Sequence, residues 1–401
     1  MSRAGCHMIG GMDISSIIGL ALITVASSPV PAGAETKAVT LEPIRIANPE
    51  FDQAGQSWQF TGTESADAGY WSPKKHGAAD AEWFEGEVAT LGTGGGCTAS
   101  CVLPADAVVS GASYRIGFNV ARWGPDLASL KVSIEDGASR PIASSGSIEA
   151  GLWRRRFVDL EIPSGDTISG PFTLVFRTVE NKDAVRESTV LLDKVSMARI
   201  GVDEPGFQSL FNGRDLTGWI GNVKGYGVEN GAIRTFPERA GGNLYTQDEF
   251  GDFVFRFAFK VPPGANNGIA IRAPSTGDAA FEGMEVQVLD NSHPKYAGLK
   301  PWQFHGSVYG ISPALRGYQA SPGEWNLEEI RADGRRIRVV LNGMVISEFD
   351  LDEAVRAGTL SGQEHPGVSR EKGHLGFCGH GDLVYFKDLR VQPIFRPESK
   401  P

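Results

Sequence analysis

Charge is scarce in this chain and is nowhere gathered into a basic field: 21% of its 401 residues are charged, and 48 acidic residues outnumber 38 basic ones for a formal net charge of -10. Without a Lys/Arg stripe interleaved with aromatics there is nothing to collect phosphates, so nucleic acid is excluded as a partner. Long hydrophobic runs are missing too. The longest, Ile14 to Ala26, falls short of the ~20 apolar residues a spanning helix needs. Cysteine is rare, with 4 in all. No Walker loop, Gly-rich dinucleotide fingerprint, GxSxG elbow or HExxH helix is present, which removes phosphoryl transfer and zinc peptidase chemistry.

What is abundant is turn chemistry: 51 glycines and 23 prolines, with 8 tryptophans, suit many short strands joined by tight turns. The length asks for two cores, because one hydrophobic core rarely grows past ~250 residues. Residues 1–34 read as an export signal: Arg3, then the apolar Ile14 to Ala26, then the small residues Ala32, Gly33 and Ala34. The expected chain is therefore exported, to the periplasm or beyond, with no stable membrane insertion once the signal is cleaved. Cys6 precedes the apolar run and is misplaced for a lipoprotein. Cys97 and Cys101, in GGGCTASC, are expected to form a small loop disulfide, since two sulfurs with no third ligand nearby do not make a zinc site. Cys378 reads as a buried thiol.

From 41 to 200, Tyr114, Ile116, Phe118 and Val120, then Leu130, Val132 and Ile134, alternate with period 2, as strands with one buried face do. Runs at Phe157 to Ile162, Phe172 to Arg177 and Thr189 to Met197 continue at sandwich spacing. The pattern breaks near Gly201 to Gly206. A second sandwich, 207–395, then opens with Phe253, Phe255, Phe257 and Phe259 on one strand face. Asn342 and Gly343 signal a type I′ hairpin, and Leu351 to Ala357 alone looks helical. The predicted fold class is all-β, two tandem β-sandwich (jelly-roll) domains.

The chemistry concentrates around Met284 to Asp290. Val286 and Val288 share one face, so Glu285 and Gln287 share the other, and a polar face there suits an open cleft for a polar ligand. An outer, solvated sheet face is the competing reading. Nearby polar residues at Asn267, Arg272, Trp302, His305, His380 and Asp382 interrupt apolar strands or flank loops.

The order of LFNGRDLTGW, YGVENGAI, FGDFVFRFAFKV, NNGIAIR, MEVQVLDN, GSVYGI, GEWN, VVLNGMVI, HLGFCGHGD and VYFKDLRV over 207–393 resembles the 3-keto-disaccharide hydrolase family, formerly a domain of unknown function. The resemblance implies a concanavalin A-like, glucanase-like jelly roll that cleaves glycosides carrying a ketone at sugar carbon 3, by hydrolysis or by elimination followed by hydration. Carried onto matching positions, it implies Glu285 or His380 as base and Arg272 as the cation facing a developing oxyanion. Asn267, Gln287 and Trp302 become sugar contacts, with Asp290, His305 and Asp382 as further substrate-binding candidates. The loop from Ser292 to Phe304 is expected to shape the pocket. No cofactor is required, and a divalent cation on Glu285, Asp290 or His380 is an alternative oxyanion stabiliser. The ends of the first half, IANPEF at 46–51 and LLDKV at 191–195, resemble galactose-binding-like carbohydrate-binding modules. That resemblance implies a structural calcium at Glu50 and Asp193, with solvated turn residues as the competing reading, while the aromatic faces of Tyr70, Trp71, Trp83 and Trp123 suit stacking on sugar rings, with core packing as the alternative.

Two rivals follow from the same residues. Glu285, Gln287 and Asp290 have the E-x-D-x-x-E spacing of a retaining glucanase with the middle acid replaced, which would need paired carboxylates ~5 Å apart. A non-catalytic, lectin-like pair of sandwiches would bind glycan and release no product.

Overall fold

The computed structural model describes residues 39–395 apart from 54–55, 63–67, 72–86, 94–95, 166–167, 181–187, 203–204 and 240–241. The expected signal over 1–34, Cys6 and Trp83 lie outside the described residues, as does the side chain of Tyr70. Strands dominate, as the composition predicts, and α-helix among the described residues is confined to Leu351–Val355, whose N-cap Asp350 accepts from the amides of Asp352 and Glu353. No described helix is long and apolar enough to cross a membrane.

The strand Thr189–Val202 runs through one six-stranded antiparallel sheet, with Ser113–Trp123 on one side and Val88–Gly92 and Val39–Ile44 on the other. A second six-stranded sheet is centred on Ala128–Glu135 and Thr173–Val179. Tyr114, Ile116, Phe118 and Val120 are fully buried and share a core with Leu130, Val132, Ile134 and Phe176, so the period-2 reading holds residue by residue. The last strand extends past the expected Met197 because Val39–Ile44 supplies a partner along Met197 to Val202.

The expected Cys97 to Cys101 disulfide is corrected. Cys97, Ala99 and Cys101 lie along one extended segment leading into Thr98–Val102 and all point into the core. Four residues of strand span about 13 Å, whereas a disulfide needs roughly 4.4–6.8 Å between Cα atoms. The two cysteines are not joined. They are small core side chains, and burial pushes the Cys101 thiol up to about 12.

The second half pairs an eight-stranded sheet with a five-stranded one. Phe253, Phe255, Phe257 and Phe259 project from Phe253–Lys260, which lies between Trp325–Asp333 and Tyr385–Pro393, into a core shared with Ile269, Val286, Val288 and Phe377. Full burial of each phenyl ring is worth about 1.5–3 kcal/mol. Asn342 and Gly343 turn the hairpin between Arg336–Leu341 and Met344–Asp350 with φ of 50° and 84°, the positive pair of a type I′ turn.

Residues 38–401 form one compact unit, and a polar junction ties the two sheet pairs together. Tyr318 donates to Glu50 Oε1 at 3.1 Å, Lys194 Nζ lies 3.0 Å from the same oxygen, and the buried Arg155 guanidinium stacks 5.0 Å from the Tyr318 ring. The calcium expectation is revised here. The cation beside Glu50 is the Lys194 ammonium, while Asp193 is buried and accepts from the Lys194 amide at 2.7 Å. Burial first, and then the neighbouring Glu50 and Asp52, hold the Asp193 carboxyl well above the usual range. Among the described residues no group of three or more His, Cys, Asp or Glu side chains is arranged to hold a metal ion.

Candidate active site

The five-stranded sheet orders its strands Trp219–Gly221, Leu244–Phe250, Gly373–Phe377, Asn266–Ala273 and Met284–Leu289. Paired residues on antiparallel strands share a face, so the register fixes what each face carries. Ile269 pairs with Val286 and Ile271 with Met284, and all four enter the core. Ala270 pairs with Glu285 and Gly268 with Gln287, which puts both polar side chains on the opposite face, as the alternation predicts.

Across that face one row runs Tyr245, Gly376, Ala270, Glu285, and the next holds Gly268 and Gln287 with Cys378, whose amide donates to Gly268 O at 2.8 Å. The middle of each row is small. A Cβ at position 268 would collide with Glu285 Oε1, and one at 376 would lie 2.7 Å from Tyr245 Cδ1. The glycines therefore let the carboxylate and the phenol lean inward over the floor.

Glu285 is 3% exposed, yet its Oε1 lies 3.2 Å from Nε2 of His380, whose side chain is 41% exposed. The hydrogen bond to Glu285 raises the His380 pKa, more than burial lowers it, and Asp382 and Asp278 add in the same direction. This pair joins a buried carboxylate to an open imidazole, the arrangement of a base with an orienting partner. Gln287 Oε1 is buried and takes no hydrogen bond within the described residues, so it presents an unused acceptor on the same face. Trp302 meets Tyr309 edge-on at 5.0 Å, and the Tyr309 amide donates to Glu285 O, so the loop carrying Trp302 stands against the Glu285 strand.

Other expected site residues are placed elsewhere. Arg272 has φ of 46° in a bulge between Ala270 and Ala273, and its guanidinium donates to Gly251 O, Gly334 O and Asp252 Oδ1. The bulge turns the side chain to that end of the sandwich, making the expected oxyanion partner a clamp between loops. His305 is 1% exposed, stacked on Phe259 at 5.0 Å and 3.2 Å from the buried Glu328, so it belongs to the interior and not to the cleft. Asn267 pairs with Val288, is fully buried, and accepts from the Gly268 amide, which corrects its expected sugar contact. Asp290 organises a turn, accepting from Gly264 N, Ser292 N and Ser292 Oγ. Asp382 accepts from the Asn266 amide at 3.0 Å near Lys295, at the edge of the face. Of the three residues considered from sequence for a divalent cation, Glu285 and His380 stand together, while Asp290 is engaged in its turn.

Tyr245 and Asn243 were missed from sequence. Asn243 Nδ2 donates to Tyr245 Oη at 2.7 Å, and Asn243 Oδ1 accepts from Gly379 N. The signal was there: in Leu244–Phe250 the apolar Leu244 faces the core, so its neighbour Tyr245 must face the cleft.

A sheet face with small residues in the middle of its rows, flanked by carboxylate, imidazole, phenol and amide groups, is thus the candidate active site of this all-β chain, and comparison with known proteins supports a carbohydrate-active, hydrolase-like enzyme. Residues 206–392, the stretch of the second sandwich, match the family model described as 3-keto-alpha-glucoside-1,2-lyase-like domain. A curated 3-keto-disaccharide hydrolase of Bacteroides thetaiotaomicron is 25% identical over 235 residues, 49% of this chain and 81% of that protein. Two crystal structures of glycosyl hydrolase candidates from Parabacteroides distasonis, each 26% identical, superpose with TM-scores of 0.42 over 47% of this chain, covering 99% and 94% of theirs.

Proposed function

We propose that this protein cleaves the glycosidic bond of 3-keto-glycosides by taking the proton at carbon 2, expelling the group at carbon 1, and hydrating the resulting enone. The observation that carries the reading is the Glu285–His380 contact on the cleft face of a domain that matches the 3-keto-glucoside lyase family. A ketone at carbon 3 acidifies the carbon 2 hydrogen, so a positioned base suffices where an ordinary glycosidase needs two carboxylates. Here Glu285 is paired with a histidine, and Asp290 is held by backbone amides in a turn.

The steps balance within the substrate and water. The base accepts the carbon 2 proton, and the C–H pair becomes an enolate on carbons 2 and 3. Collapse of the enolate forms the carbon 1–carbon 2 double bond while the aglycone oxygen leaves with its bonding pair and takes a proton. Water then adds its hydroxyl to carbon 1 and a proton to carbon 2. His380, open to solvent, carries the proton, and Glu285 orients the ring and stabilises its charged form. Gln287 accepts from a sugar hydroxyl, and Trp302 forms an apolar wall.

The same reading takes the chain as exported through residues 1–34 and takes the first sandwich as a glycan-holding module, supported by the Trp71 and Trp123 rings 5.7 Å apart with Trp123 half exposed. The test is turnover of matched substrates by the purified chain. A 3-keto-glucoside should release its aglycone while the parent glucoside does not; equal turnover of both, with retention at carbon 1, would favour the glucanase reading.

A further inference from the structure

An enolate needs a partner for its oxygen, and the charged group expected from sequence, Arg272, is engaged with Gly251, Asp252 and Gly334. We propose that Tyr245 fills that role: its phenol O–H donates to the carbon 3 oxygen of the bound keto sugar and holds the negative charge that forms there. The inference rests on the 3-keto reading above.

Three observations support it. Asn243 Oδ1 is occupied by the Gly379 amide, which turns the NH2 of Asn243 toward Tyr245, and Nδ2 donates to Tyr245 Oη. The phenol oxygen is thus an acceptor in that contact, and its own proton has no acceptor among the described residues. Tyr245 as a residue is 2% exposed, and a buried hydroxyl rarely leaves its donor unused unless a ligand takes it. Second, the ring stands on the same row as Glu285. It leans over Gly376 while the Glu285 carboxylate leans over Gly268, so the two groups overhang adjacent strands about 4.8 Å apart. A pyranose set between these two groups would present carbon 2 to one and its carbon 3 oxygen to the other. Third, the phenol stays a neutral donor at working pH, because burial raises the Tyr245 pKa to about 12. A donor placed where charge develops is worth ~10²–10³ in rate.

The electron accounting adds no new reagent. The enolate oxygen gains charge as the carbon 2 proton leaves and returns it when the carbon 1 bond breaks, and Tyr245 keeps its proton or lends it for the enolate's lifetime.

The experiment compares the full chain with Tyr245→Phe and Asn243→Asp on a 3-keto-glucoside bearing a chromogenic aglycone, reading kcat, KM and deuterium entry at carbon 2 in heavy water. Tyr245→Phe should lower kcat ~10²–10³-fold and slow deuterium entry in parallel, with KM moving less than about threefold. Asn243→Asp keeps the ring and its shape but turns the neighbour into an acceptor that captures the phenol proton, so it should also lower kcat. That variant keeps the idea testable if Tyr245→Phe fails to fold. Either folded variant retaining kcat within about twofold, while the unaltered chain turns over, would overturn the role of Tyr245 alone. No turnover by the unaltered chain would sink the 3-keto reading and this inference with it.

Discussion

At the scale of the residue, the Glu285–His380 contact decides the pH behaviour. The His380 pKa lies above its ordinary value chiefly because Glu285 accepts its hydrogen bond. An imidazole acting as base must be neutral, so kcat/KM should rise with pH through that raised value. Glu285→Gln removes the charge that favours the protonated ring. The acid limb of the profile should then move down toward about 6.5, and the plateau should fall ~10²–10⁴-fold. A pH–rate profile of the variant with an unmoved acid limb would disconnect the two residues. The stability consequence has the opposite sense to a salt-bridged aspartate: for a raised histidine the favourable contribution is complete below the unfolded value and disappears as pH climbs through the folded one. His380→Gln should therefore cost melting temperature at pH 5 and little at pH 9, by a small margin because the His380 side chain is 41% exposed.

At the scale of the element, the strands Asn266–Ala273 and Met284–Leu289 make the site by pairing small residues with functional ones. Gly268→Ala should displace the Glu285 carboxylate that leans over it. The expected result is a loss of ~10²-fold in kcat, as for a misplacement near 1 Å. An overpacking cost of about 1–3 kcal/mol should appear in denaturant unfolding. Wild-type kinetics in Gly268→Ala would mean that the carboxylate position is unimportant. This pair also shows what was legible beforehand. Val286 and Val288 must face the core, so Glu285 and Gln287 could be assigned to the other face by counting alone. Arg272 failed on the same strand pair because the bulge before Ala273 breaks the count, and a bulge leaves no mark in hydrophobic periodicity. His305 failed because its partner Glu328, opposite Phe257, points into the core: a polar pair closed inside a sandwich looks in sequence like two surface residues. The cysteine pair failed because spacing was read as a loop where the chain is extended.

At the scale of the whole molecule, the two sheet pairs are joined by Tyr318, Glu50, Lys194 and Arg155. The junction reaches the site edge. Next to Tyr318, Gln319 Nε2 donates to Leu289 O and its Oε1 accepts from the Asn291 amide, at the end of the Glu285 strand. All-β class, two cores and the hairpin at Asn342 were readable from alternation and turn residues. This junction was not, since its members lie 268 residues apart in the case of Glu50 and Tyr318. A double-mutant cycle of Glu50→Gln and Tyr318→Phe should show a coupling of about 0.5–3 kcal/mol by denaturant unfolding. Strict additivity would make the contact incidental.

The central claim is that the Glu285–His380 face removes the carbon 2 proton of a 3-keto sugar, and the most direct measurement is the kinetic isotope effect on a 3-keto-glucoside deuterated at carbon 2. A primary effect on kcat/KM for the unaltered chain, with deuterium lost to solvent during turnover, is the predicted result. Aglycone release at the same rate from both isotopologues, with the label retained at carbon 2 in the product, would contradict it.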